Sequence, residues 1–209
     1  MSVSIHVWAL PPASALFRRL EHDKAFVTLM AALFPYGRGV FVFFNETEAG
    51  ERESILERVI EDRRSRLGHE PRHLIEEFRE ELERTRLTYP GVEHRGCSLE
   101  YTCFLIEKQL SEALKPAGSG AEKFVRNLIY GDLVLGKSGA NDIESIMQDH
   151  GNTVGLISPA LVQEGAQILC APGAEMLFAS VWQLEDFQNW RRLYQAAAAE
   201  DEALLVGTC

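Results

Sequence analysis

Two histidines flank a glutamate and a proline in His69-Glu70-Pro71-Arg72-His73. On a metalloprotease helix such a pair lies one turn apart and binds zinc, with the glutamate as general base. Pro71 breaks that geometry here. Inside a helix it lacks a donor and clashes with the preceding turn, at a cost of about 3 kcal/mol. It also moves Glu70 out of the helical region. Pro71 fits the first position of a new helix, which leaves His69 outside and the two imidazoles apart. No metal site and no cofactor are expected.

Gly131 to Ser138 spells Gly-x-x-x-x-Gly-Lys-Ser. A phosphate-binding loop needs a strand before it and a helix directly after it. The segment before Gly131 carries Phe124, Leu128 and Ile129 at helical spacing, and Gly139 discourages a helix after Lys137. A nucleotide site at Gly136-Lys137-Ser138 is therefore the third-ranked reading. Cys97 lies near His94, and a thiol beside an imidazole is a possible nucleophile. Cys97 is expected at a loop-to-helix junction, where a helix N-terminus lowers a thiol pKa. Cys103 falls on an apolar helix face, where a thiol usually packs. Tyr130-Gly-Asp132 and Asp149-His-Gly-Asn152 bracket a glycine-containing connection. If these loops meet, Tyr130, Asp132, His150 and Asn152 line a small polar pocket. The competing reading makes Gly131 and Gly151 helix stops with caps and turn formers beside them.

These residues need elements to position them. Val3, Ile5 and Val7 alternate with Ser4, His6 and Trp8, which predicts a strand with one apolar face. Ala13 to Leu33 reads as helix, with Ser14 as its cap. Val40 to Phe44 reads as a buried strand. Ser98 to Leu114 is predicted as helix with Leu99, Cys103, Ile106 and Leu110 inward. Ala121 to Tyr130 is helical and stops at Gly131. Val154 to Ile157 is a strand, and Ser158 followed by Pro159 is a strong helix start. Phe187, Trp190, Tyr194 and Ala197 recur on one helical face. Asp201 and Glu202 break that pattern, and Ala203 to Val206 read as a terminal strand.

Residues 51–86 are rich in glutamate and arginine, with apolar residues only in narrow stripes: Ile55, Leu56, Val59 and Ile60, then Leu74, Ile75, Phe78 and Leu82. This pattern predicts a charged helical hairpin joined at Gly68, a residue suited to a helix C-terminus, and laced with i,i+4 pairs. Its function, if it has one, is contact with a partner or a second copy of the chain.

The chain of 209 residues is 46% hydrophobic and 25% charged, enough for a core without disulfide or metal staples. A formal charge of −10 disfavours a nucleic-acid backbone or an anionic membrane as partner. No apolar run approaches the roughly 18 residues needed to cross a bilayer. Met1 to Pro12 lacks a basic leader. Cys97, Cys103, Cys170 and Cys209 form no Cys-x-x-Cys pair, which favours reduced thiols in a cytoplasmic protein.

The expected architecture is one α+β domain over 1–209, helix-dominated, with a small mixed sheet that includes the N- and C-terminal strands. A non-catalytic binding or protein-interaction module is the leading functional reading. A small-molecule enzyme using Tyr130, Asp132 and His150, or Cys97 with His94, is the alternative.

Three C-terminal segments occur in a familiar order: Glu122-Lys-Phe-Val-Arg-Asn-Leu-Ile-Tyr-Gly131, Gly151-Asn-Thr-Val-Gly-Leu-Ile-Ser-Pro-Ala-Leu-Val162, and Trp190 to Val206. This order resembles the YfbM-like family of uncharacterised bacterial proteins. The resemblance implies a cytoplasmic bacterial α+β protein and carries no catalytic residue. The chain departs from the family in its charged hairpin, and it has Phe124-Val125 where the family has Trp-His.

Overall fold

A computed structural model describes residues 4–11, 13–22, 76, 80, 84, 87, 88, 95–100, 103–114, 120–134, 153–178 and 180–208. In chain order the elements are β1 (Ser4–Leu10), α1 (Ala15–His22), β2 (Gly96–Glu100), α2 (Cys103–Leu114), α3 (Ala121–Tyr130), β3 (Leu133–Val134), β4 (Thr153–Ile157), α4 (Pro159–Leu169), a 3₁₀ turn (Ala174–Leu177), α5 (Val181–Ala199) and β5 (Ala203–Thr208). The fold is α+β, and its sheet includes the N- and C-terminal strands, in the order β2-β1-β5-β4-β3.

The expectation of a mixed sheet narrows to an antiparallel one, because every described pairing is antiparallel. The reason lies in the link between β4 and β5. Helix α4 carries the chain away from Ile157, and α5 brings it back. The Gln163 side-chain amide near the start of α4 donates to the Ala198 carbonyl at the end of α5. Strand β5 therefore begins beside the end of β4, with Leu204 opposite Ile157.

Directly opposed residues of an antiparallel pair share a face. Ile5 faces Leu99, Val7 faces Cys97 and Val206, and Ala9 and Ile157 both face Leu204. These side chains form one core with the inner faces of α2, α3, α4 and α5. The other face aligns Trp8 with Leu205 and Leu10 with Ala203, and Leu205 in turn with Leu156. It is buried too: Trp8 is 1% exposed and His6 4%. The one-sided strand expected at the N-terminus is thus corrected. Strand β1 is flanked on both edges, and its second set, with Trp8 and Leu10, is itself apolar enough to be buried.

The helix expected over Ser98 to Leu114 is corrected as well. Gly96–Glu100 is a strand paired with β1, and the helix begins only at Cys103. Cys97 and Leu99 alternate with Ser98 and Glu100, a period of two that serves a strand. Helix starts were more legible. Ser14 Oγ accepts from the Phe17 amide at 3.0 Å, and Ser158 Oγ accepts from the Leu161 amide at 3.4 Å, with Pro159 following it. Helix α5 starts earlier than its aromatic stripe suggested, where Ser180 Oγ accepts from the Gln183 amide at 3.2 Å. It ends where Asp201 takes a φ of 53° and the Glu202 amide donates to the Ala197 carbonyl.

Of the charged stretch 51–86, Glu76, Glu80 and Arg84 are described, and all three are helical and exposed. Leu87 and Thr88, past the expected end, are helical too, and Thr88 Oγ1 donates to the Arg84 carbonyl. The rest of the hairpin, the strand expected at Val40 to Phe44 and the later part of the first helix lie outside the described residues.

Candidate functional site

Helices α2 and α3 lie side by side with their apolar stripes turned inward. Cys103, Ile106 and Leu110 are the buried positions of α2, and Val125, Leu128, Ile129 and Tyr130 those of α3. The outer shoulders of the two helices form an open cleft of about 360 Å³, lined by Phe104, Glu107, Lys108, Ser111, Glu112, Glu122 and Arg126. Phe104 is 40% exposed and its neighbour Leu105 43%.

Glu107 organises the inner end of this cleft. Its Oε1 accepts from Arg126 Nε at 2.9 Å, and its Oε2 accepts from the Tyr130 hydroxyl at 3.1 Å. Arg126 and Tyr130 are one turn apart on α3, so they reach the same carboxylate on α2. The Tyr130 ring is buried, and burial raises its phenol pKa well above the ordinary range. The Glu107 carboxylate raises it further. A phenol so held donates its proton in one hydrogen bond and is no base at neutral pH.

Asp132 points to a different task. Its Oδ1 accepts from the Ser158 amide at 2.7 Å, and its Oδ2 from the Ser158 hydroxyl at 2.6 Å. The carboxylate thus sits at the start of α4, where orphan amides and the helix dipole favour negative charge. It links the end of α3 to the end of β4. Two glycines make that link possible. Gly131 has a φ of 104°, and a Cβ there would lie 2.8 Å from the Leu156 nitrogen. A Cβ on Gly155 would overlap the Tyr130 carbonyl.

These bonds give the partners of two of the four residues of the expected polar pocket, Tyr130, Asp132, His150 and Asn152. Tyr130 is joined to α2 and Asp132 to α4, so the two side chains serve separate contacts. His150 and Asn152 lie outside the described residues, as do Gly136, Lys137, Ser138, His69, His73 and His94.

Cys97 is also placed differently from expectation. It sits within β2, opposite Val7, and packs against the helix-side core rather than at a helix N-terminus. Burial pushes its thiol up to about 12, and Asp186 adds to the shift. Cys103, buried at the start of α2, is pushed up to about 11, again chiefly by burial. Both thiols are therefore protonated at neutral pH and behave as packing groups.

Among the described residues, no group of three or more His, Cys, Asp or Glu side chains is arranged to hold a metal ion. Among them also, no helix is long and apolar enough to cross a membrane. Sequence reasoning missed Phe104, Glu107 and Arg126. The signal for Arg126 was present, because Arg126 and Tyr130 at i,i+4 share a helix face. Compared with protein-family models, curated proteins and solved structures, the chain matches none of them.

Proposed function

We propose that this chain is a non-catalytic protein-binding module and that the α2–α3 cleft is its contact surface. The observation that carries this reading is the exposure of Phe104 in the lining of a charged cleft, with Leu105 exposed next to it in α2. Helix α2 already has an inward stripe in Cys103, Ile106 and Leu110. Phe104 and Leu105 lie outside that stripe and are partly exposed to water. Exposed aromatics beside polar groups are the usual composition of an interface centre and its rim. The candidate chemical groups support the same reading. Tyr130, Asp132 and Cys97 are each engaged in bonds or packing that hold the fold together.

A bacterial, cytoplasmic setting and kinship with the YfbM-like family belong to this proposal. The segments that suggest the kinship correspond to α3, to β4 with the start of α4, and to α5 with β5. All three elements take part in packing the core.

The test is a photo-crosslinking residue placed at Phe104, with the same residue at exposed Glu185 of α5 as control. In cells that make the protein, a discrete adduct is expected from position 104 and not from 185. A Leu105→Asp substitution should remove it while the circular dichroism spectrum is retained. Identical adducts from both positions, or none from position 104, would rule out the α2–α3 surface as the contact.

A further inference from the structure

We infer that the α2–α3 cleft receives a positively charged segment of a protein partner, one that sets a lysine or arginine beside an apolar side chain. This rests on the reading of that cleft as a contact surface.

The charges of the cleft do not cancel. Glu107 is matched by Arg126 at 2.9 Å and further held by Tyr130. That leaves Glu112 and Glu122 against Lys108 among the lining residues. Neither Glu112 nor Glu122 forms an ion pair among the described residues. Glu112 comes from α2 and Glu122 from α3, so the two carboxylates border the cleft from both of its walls.

Phe104 contributes the second half of the match. The face of an exposed aromatic ring attracts ammonium and guanidinium groups. Leu105 beside it offers a place for an apolar side chain. The methylene stem of a lysine or arginine can lie on such a surface while its head meets a carboxylate. Arg126 is already turned to Glu107, which leaves an acidic segment a single lining cation, Lys108, while a basic one finds two carboxylates.

The charge of the whole chain selects the same partner. At −10, a second copy is repelled at long range, whereas a basic segment is drawn in. A second copy of the chain is therefore the disfavoured occupant.

The experiment is a titration followed by amide resonances of isotopically labelled protein. The probes are two short capped peptides, one of alternating lysine and leucine and one of alternating glutamate and leucine. The lysine peptide should perturb the amides of α2 and α3, and the glutamate peptide should not. The double substitution Glu112→Gln with Glu122→Gln should weaken binding by roughly fivefold, against less than about twofold for Glu185→Gln with Glu200→Gln, which changes the net charge equally at exposed sites elsewhere. Equal weakening by the two pairs would reduce the effect to overall charge and overturn the inference. Binding of the glutamate peptide at α2 and α3 would also overturn it, while leaving the cleft as a contact surface. Perturbation by the lysine peptide confined to other elements would defeat both.

Discussion

Asp132 holds Ser158 through both carboxylate oxygens, one on the amide at 2.7 Å and one on the hydroxyl at 2.6 Å. The same hydroxyl accepts from the Leu161 amide and so caps α4. Loss of either partner leaves the other incompletely bonded. Asp132→Ala and Ser158→Ala should each destabilise the fold by about 1 kcal/mol. The double substitution should cost less than the sum, because both remove one shared contact. Urea unfolding of the four proteins checks this, and strict additivity would show that the two residues act independently.

The crossing of α3 and β4 depends on Gly155, which lies under the Tyr130 carbonyl. A methyl group there collides with backbone, which cannot rotate away as a side chain can. Gly155→Ala should cost roughly 1–3 kcal/mol or more. Gly120→Ala is the control, since a Cβ at Gly120 meets nothing within 4 Å. Thermal melts of the two variants should separate widely. Similar melting points would mean that the crossing relaxes without penalty.

Trp190 is fully buried, with its ring edge-on to Tyr194 at 5.3 Å. Tyr194 in turn donates its hydroxyl to the Leu128 carbonyl and lies over Gly165. Trp190→Ala should cost about 3–5 kcal/mol. Tyr194→Phe keeps the ring but leaves a buried carbonyl without its donor, and should cost about 1–3 kcal/mol. A Trp190→Ala protein that melted within a degree or two of the parent would place this helix face in water.

Glu202 is buried at the turn into β5 and paired with Arg95, whose Nη1 donates to Oε1 at 2.6 Å. Burial raises its pKa, Arg95 lowers it, and Glu200 raises it, with a net shift upward. A carboxyl whose folded pKa lies above its unfolded value stabilises most below the unfolded value. That contribution is lost as pH rises through the folded pKa. The stability gap between the parent and Glu202→Gln should therefore be widest near the unfolded carboxyl range of about pH 4 and narrow towards neutrality. Urea titrations across that interval test it. A gap that widens with pH would mean that attraction to Arg95 outweighs burial.

Cys97, with its thiol pushed up to about 12, should resist iodoacetamide at pH 8 in the native protein. It should alkylate readily once unfolded, as peptide mass spectrometry would show. Rapid native labelling of Cys97 would mean that the strand opens or that the thiol is ionised.

Much of the scaffold was legible from local patterns, because caps, glycine stops and aromatic stripes act over a few residues. Ser14 and Ser158 were readable as helix starts, Gly131 as a stop, and Trp190 and Tyr194 as core, each from its immediate neighbours. The segment 96–100 was misread because Leu99 and Cys103 also fit a helical stripe, and only pairing with β1 shows which period applies.

The sequence by itself determined that this is an acidic α+β chain with enough apolar residues for a core, and it determined where most of its described helices begin or end. Those properties follow from composition and from short-range backbone chemistry. The tertiary structure alone decided that Tyr130 meets Glu107 and Asp132 meets Ser158, although Tyr130 and Asp132 lie two positions apart in the chain. It also decided that β1 is buried on both faces and that Phe104 and Leu105 stay at the surface. A side chain's partner depends on which distant elements pack beside it. No local period records that, so the role of a polar residue emerges only when the layers are assembled.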